Sequence, residues 1–194
     1  MPKIVDHGER REALAEALMR LVERGGVEAV STRAVAAEAG WSTGVLAHYF
    51  ADADALLTYA FELVADRMAA RADARARRAP TAGAAVRAML VEALPADARR
   101  RREARLWFAY LERAPTRRPM AAVARRRYQG WTAAIAGRLE AAGASGPTAR
   151  RTATTLLALA DGLAVRALSD PRRLSRRAQE EALDAALDRL LPRA

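Results

Sequence analysis

Hydroxyl, imidazole and indole side chains crowd into one stretch of the chain, between Ser31 and Phe50. Ser31 or Thr32 can cap a short helix that Gly40 ends, and Ser42 can cap a second helix. Two capped helices joined by a tight turn form a helix-turn-helix, whose second helix is free to enter a DNA major groove. Hydroxyls there would bind phosphate oxygens, and groove-facing side chains would read base edges. The stretch therefore predicts DNA recognition.

Three helices are expected to position these residues. Apolar residues recur at helical spacing from about Gly8 to Arg24, and Gly25-Gly26 stops this first helix. Residues 1–7 are expected to form a flexible arm. Residues 1–50 are thus predicted to be a three-helix DNA-binding domain with a helix-turn-helix.

The rest of the chain, residues 51–194, is predicted to form a second all-α domain of six helices that binds a ligand and dimerises. Alanine and arginine dominate the composition and favour helix nearly everywhere. Prolines and glycines punctuate the helical patterns. The expected helices span about 54–78, 83–94, 96–113, 119–142 and 148–168, and Ser175 caps the last one.

Composition excludes several kinds of site. The 194-residue chain has no cysteine, which rules out disulfides and thiolate metal sites, and its two histidines are His7 and His48. No nucleophile pattern accompanies them, so neither an enzyme nor a metal or cofactor is expected. No apolar run approaches the roughly 20 residues that a membrane span needs, so a cytoplasmic protein is expected.

The net charge of +10 is unevenly placed. Residues 1–50 sum to −1, so the predicted DNA-binding domain is not the basic part of the chain. Among the 33 basic residues Lys3 alone is a lysine, which fits a coding bias better than selection for phosphate contacts. Charge alone therefore does not establish nucleic-acid binding.

The segment from Thr32 to Leu57 resembles the DNA-binding domain of the tetracycline-repressor (TetR) family. The matching residues are Ala39-Gly40-Trp41-Ser42, Gly44, Leu46, Tyr49-Phe50 and Leu56. The helical remainder resembles the family's second domain more loosely, and the segments His48-Tyr49-Phe50 and Ala160-Asp161-Gly162-Leu163 resemble its BetI-like branch. The resemblance implies a ligand-responsive transcriptional repressor that binds a palindromic double-stranded DNA operator as a homodimer.

The departures from the family pattern leave an alternative open. Thr43, Ala47 and Ala53 stand where the family often has a basic residue, a tyrosine and a lysine. Each change removes a phosphate or base contact, so a helical small-molecule-binding protein with weak or lost DNA binding is the second interpretation. A compensating basic arm would restore affinity, and its candidates are Lys3, Arg10 and Arg11.

On the family's pattern, nine residues are expected at the DNA. Their other roles would be helix capping for Ser42 and Thr32, packing between helices for Trp41, and an apolar face for Tyr49. The expected DNA-binding residues are Thr32, Arg33, Trp41, Ser42, Thr43, Gly44, Val45, His48 and Tyr49.

Aromatic residues concentrate in two adjacent helical segments of the second domain. Such a set can line a cavity for a largely apolar effector, or it can fill an ordinary core. We expect a bound effector to shift the fourth helix and change the separation of the two DNA-binding domains. The expected pocket residues are Phe61, Met68, Met89, Trp107, Phe108, Tyr110, Leu111, Tyr128, Trp131 and Asp161.

The last two helices carry more leucine than a small helical domain easily covers. Packing against a second copy would bury them in a two-fold four-helix interface, and an intramolecular core is the alternative. The expected interface residues are Leu156, Leu159, Leu163, Leu183, Leu187 and Leu190.

Overall fold

The computed structural model describes residues 7–191, which form nine α-helices, two short 3₁₀ turns and no strand. The all-α prediction is confirmed. Residues 1–6, with most of the expected arm and Lys3, lie outside the described residues. The helices are α1 His7–Gly25, α2 Thr32–Ala39, α3 Thr43–Tyr49, α4 Ala53–Ala76, α5 Ala82–Ala93, α6 Ala98–Arg113, α7 Arg118–Ala141, α8 Gly146–Ser169 and α9 Arg176–Leu190.

Local capping explains where α2 and α3 begin. The Ser31 hydroxyl accepts a hydrogen bond from the backbone N–H of Ala34 at 3.1 Å, and Ser42 accepts one from Val45 at 3.3 Å. Gly40 ends α2 with φ of 72°, a left-handed conformation that favours glycine. The helix-turn-helix predicted from these residues is therefore confirmed, with Ser31 rather than Thr32 as the first cap.

The described chain divides into two compact units. One contains α1–α3, the part of α4 up to Val64, and Arg105–Val123. In it, α3 is anchored by Leu46, which is buried, and the chain beyond α3 by buried Phe50. This unit is larger than the expected DNA-binding domain, and the boundary at residue 50 stays a prediction.

The second unit contains Ala65–Ala104 and the described residues from Ala124 onward. Its apolar core joins α5, α7, α8 and α9 with the second half of α4. Buried alanines allow these helices to approach closely, and large side chains such as Leu90, Ile135 and Leu156 fill the spaces between them.

A buried carboxylate also ties this unit together. Glu92 of α5 is 1% exposed and lies 2.5 Å from Arg71 and 2.8 Å from Arg75, both on α4. Arg99 of α6 is 3.5 Å away. Burying a charge is costly unless it is paired, so this network holds α4, α5 and α6 in one arrangement.

In the part of the chain that the structure describes, no helix combines the length and the hydrophobicity that crossing a bilayer requires.

Candidate DNA-binding surface and ligand cavities

Helix α3 has one face in the core and one face open to solvent. Leu46 is buried, whereas Thr43, Gly44, Ala47 and His48 are exposed. These four positions follow the i, i+1, i+4, i+5 spacing of a single helix face. This face is free to approach another molecule.

The residues expected at DNA all lie on α2, α3 or the turn between them, with different exposure. Arg33 and Ser42 are exposed like the open face of α3, whereas Thr32, Trp41, Val45 and Tyr49 are half-buried. Half-burial suits both roles considered for Trp41 and Tyr49, because each ring can pack on one side and present its polar tip on the other.

The first turns of α1 lie beside the C-terminal end of α3, a neighbourhood that sequence reasoning missed. The ring centroids of His7 and His48 are 6.1 Å apart, and those of His7 and Tyr49 are 5.6 Å apart. Arg10 donates from Nη1 to the Tyr49 hydroxyl at 3.4 Å, and its guanidinium lies 5.7 Å from the Trp41 ring centroid. No local sequence pattern pairs residues so far apart in the chain.

Two other arginines of α1 are held by a carboxylate on α2. Glu38 accepts a 2.7 Å hydrogen bond from Arg20 and a second, shorter one from Arg24. The hydrogen bond from Arg24 is the largest cause that lowers the pKa of the Glu38 carboxyl, followed by that from Arg20. Both arginines are therefore engaged by one carboxylate, and the three groups together keep a net charge of +1.

Part of the expected pocket is a filled aromatic core, the alternative that the sequence left open. In the first unit, Phe61 and Tyr110 have no exposed surface and stack with ring centroids 3.9 Å apart. Trp107 lies 4.7 Å from Phe61, and the Tyr110 hydroxyl donates to the carbonyl of Met120 at 3.1 Å. The other expected pocket residues with little open surface are Met68, which is buried, and Phe108 and Leu111, which are half-buried.

A cavity of about 420 Å³ lies in the second unit between α4 and α7. Small side chains create it, because Ala65, Ala69 and Ala72 of α4 line it together with Gly130 and Ala134 of α7. Two expected pocket residues, Met89 and Trp131, contribute its larger apolar surfaces. The charged lining residues are Asp73, Arg126, Arg127 and Arg138.

Two ion pairs join the helices that bound this α4–α7 cavity. Arg127 of α7 contacts Asp66 of α4 at 2.5 Å, and Arg138 contacts Asp73 at 2.9 Å. The two aspartates lie about two helical turns, or ~10 Å, apart along α4. The pairs therefore bridge α4 and α7 at two levels along the helices.

Tyr128 lines a different cavity, of about 500 Å³, on the α7 and α8 side of the unit. Its hydroxyl donates to the carboxylate of Asp161 at 2.7 Å. Burial raises the pKa of Asp161, and the Tyr128 hydrogen bond opposes that rise. The residues expected to line one pocket are thus divided between a packed core and two cavities.

Most leucines expected at a dimer interface lie in the chain's own core. Leu159 is half-buried and Leu190 is 39% exposed. The remaining four are buried within one copy and leave little surface for a partner: Leu156, Leu163, Leu183 and Leu187. The outward face of α8 instead carries Ala158, Gly162 and Val165, and Val165 is 46% exposed.

Comparison with known proteins agrees with the sequence resemblance. Residues 14–60 match the family described as bacterial regulatory proteins of the tetR family, and residues 82–192 match the BetI-type transcriptional repressor C-terminal family. The HTH-type transcriptional regulator PksA of Bacillus subtilis is 33% identical over 178 residues, which cover 91% of this chain and 87% of PksA.

Two further matches extend over most of the chain. The HTH-type transcriptional regulator BetI of Burkholderia thailandensis is 32% identical, with 86% of this chain and 85% of BetI covered. A crystal structure of a transcriptional regulator from Rhodococcus has a TM-score of 0.87 and 31% identity, and covers 93% of this chain and 95% of its own.

Proposed function

The chain belongs to the tetR family of bacterial regulatory proteins, and we propose that it is a dimeric repressor that reads a palindromic operator with α3. It is a ligand-responsive DNA-binding transcriptional regulator and not an enzyme. The cytoplasm, where the genome is accessible, is its proposed location.

The open face of α3 is the observation that carries the DNA-binding proposal. Thr43 and His48 supply polar groups that can read base edges, and Ser42 precedes them at the helix start. A Cβ added at Gly44 would have only the Ser42 hydroxyl, at 3.8 Å, as its neighbour, so it would project from the open face. Because glycine lacks this atom, the helix backbone can approach DNA closely there. Buried Leu46 holds the helix in this orientation.

Two observations favour the second candidate, a helical small-molecule-binding protein with weak DNA binding. Ala47 places a methyl group in the middle of the open face, and Glu38 occupies Arg20 and Arg24. A selection from fragmented genomic DNA at moderate salt separates the two candidates. The repressor enriches an inverted repeat, whereas the weak binder enriches no sequence.

We place the effector in the α4–α7 cavity rather than among the stacked aromatic residues. The α4–α7 cavity combines apolar surfaces at Met89 and Trp131 with charged groups in its lining, which is the usual composition of a small-molecule site. A ligand wedged there would strain the Arg127–Asp66 and Arg138–Asp73 pairs and push on α4. That helix starts at Ala53 in the first unit, so its movement is the proposed route to the DNA-binding helices.

Such a ligand can move α4 only if it binds the protein more tightly with the helix displaced than with the helix in its present position. The fluorescent probe 1-anilinonaphthalene-8-sulfonate, which has apolar rings and an anionic group, suits the alanines and arginines of this cavity. We expect it to bind the wild type and to compete with an effector.

A matched pair of glycine substitutions tests this assignment. Gly130 lines the α4–α7 cavity and Gly137 lines the α7–α8 cavity, and an added Cβ meets nothing within 4 Å at either position. Gly130→Leu should abolish probe fluorescence, whereas Gly137→Leu should leave it intact. The reverse result would place the effector in the α7–α8 cavity.

The dimer is proposed to form through the outward face of α8. Its small residues, Ala158 and Gly162, allow two helices to approach closely, and Val165 adds an exposed apolar side chain. A two-fold axis through this face pairs each residue with the same surface on a second copy.

A further inference from the structure

We propose that Arg10 of α1 binds a phosphate of the DNA backbone together with the Tyr49 hydroxyl, whereas its neighbour Arg11 has a structural role. This inference rests on the proposed DNA-binding function. It extends the DNA contact from α3 to the start of α1.

The position of the Arg10 guanidinium is the first argument. It lies 5.7 Å from the ring centroid of Trp41, which precedes α3, and 3.4 Å from the hydroxyl of Tyr49, which ends α3. Among the described residues, no carboxylate forms an ion pair with Arg10. Its positive charge is therefore available at the edge of the open face that carries His48.

The chemistry of these two groups suits a phosphate. Arginine can lie against an aromatic ring and still direct its N–H groups at an anion. The hydrogen bond with Arg10 uses the Tyr49 oxygen as acceptor, which leaves the tyrosine O–H free to donate to the same phosphate. The rings of His7 and His48, at 5.6 and 5.2 Å from that of Tyr49, limit how its ring can move.

Arg11 lies next in the chain but has a different neighbourhood. Its guanidinium is 5.1 Å from the Phe50 ring and 4.6 Å from the Tyr59 ring, which are themselves 5.4 Å apart. Phe50 is buried, so Arg11 covers an aromatic pair that joins the end of α3 to α4. Its main effect is expected on stability.

The proposed contact of Arg10 and Tyr49 with a phosphate explains how this chain can bind DNA without the basic residues that the family often has. Ala53 stands where the family often has a lysine near the end of α3, and Glu38 engages both Arg20 and Arg24 in ion pairs. Arg10 returns a positive charge to the region from a different helix. The phosphate contact moves to α1 while the reading helix stays nearly neutral.

Salt dependence of operator binding distinguishes the two arginines. Affinity for the inverted repeat from the genomic selection is measured by fluorescence anisotropy between about 50 and 300 mM salt. For a dimer, Arg10→Ala should reduce the slope of log affinity against log salt by about two, one phosphate contact per subunit. It should raise Kd by about tenfold or more on every DNA sequence.

The controls separate charge from position. Arg11→Ala removes the same charge and should keep the wild-type slope while lowering the melting temperature. Arg10→Lys keeps the charge and should restore most of the slope, which rules out misfolding as the cause of the Arg10→Ala result.

Two outcomes would overturn this inference alone: a wild-type slope for Arg10→Ala, or equal losses of slope for Arg10→Ala and Arg11→Ala. If the wild type itself binds no DNA, the proposed function fails together with it.

Discussion

The hydroxyl of Tyr128 on α7 donates a 2.7 Å hydrogen bond to the carboxylate of Asp161 on α8. Burial has the larger influence on this carboxyl and raises its pKa, whereas the hydrogen bond lowers it. A raised pKa in the folded state means that the folded protein holds the proton more tightly than the unfolded chain. The resulting stability is present below the unfolded pKa and is lost as pH rises through the folded pKa.

Asp161→Asn should therefore stabilise the protein at pH 7, because it removes a half-buried negative charge and leaves an oxygen that can accept a hydrogen bond from Tyr128. The gain should disappear as pH falls toward about 4, where the wild-type carboxyl is protonated too. Thermal unfolding followed by circular dichroism across this range measures it. Asp188→Asn, at an exposed position on α9, is the control, and an Asp161→Asn variant that is less stable at pH 7 would contradict the assignment.

Glu92→Ala should destabilise the protein by about 3 kcal/mol, because it removes the buried carboxylate that Arg75 pairs with and leaves Arg71 with Glu103 alone. Urea unfolding measures the loss. Glu181 pairs with Arg177 on the surface of α9, and Glu181→Ala should leave the unfolding midpoint nearly unchanged. Similar midpoints for the two variants would show that the network around Glu92 adds little stability.

Gly130→Ala should stabilise the protein by about 0.5–1 kcal/mol, since alanine favours the helix and its Cβ meets nothing within 4 Å. Gly40→Ala also adds a Cβ in open space, but there φ is 72° and the residue ends α2 in a left-handed conformation. That variant should lose about 1 kcal/mol or more. Opposite shifts in the urea midpoint support both assignments, and a stabilised Gly40→Ala would refute the capping role.

Val165→Glu should convert the proposed dimer into a monomer, because it places a charge on the outward face of α8 that the dimer would bury. Sedimentation velocity over a range of protein concentrations measures the state. Ala70→Glu changes an exposed position on α4 and should remain dimeric. A Val165→Glu variant that sediments as the wild-type dimer would move the interface away from this face.

The ends of α2 and α3 were predictable from local chemistry. The rotation of a helix about its own axis, which decides what each side chain faces, was not. Ser31, Gly40 and Ser42 act within a few residues of themselves, so their capping roles follow from sequence. Tyr128 and Trp131 are separated by less than one turn of α7 and yet line different cavities, because α7 presents different faces to α4 and α8.

The leucines of α8 and α9 illustrate a second limit. An apolar helix face has the same sequence pattern whether it packs inside the chain or against a second copy. Leu156 and Leu183 turned out to be fully buried in the core of one copy. Long-range neighbours such as His7 and His48 likewise depend on how α1 packs, which residue spacing does not reveal.

The central claim, that the open face of α3 reads an operator, is tested most directly by the ratio of two affinities. Fluorescence anisotropy compares the selected inverted repeat with a scrambled sequence of the same length, for the wild type and for His48→Ala. We expect the wild type to prefer the repeat by about 10³-fold or more, and His48→Ala to lose about 1–3 kcal/mol of that preference. Equal affinity of the wild type for the repeat and the scrambled sequence would contradict the claim.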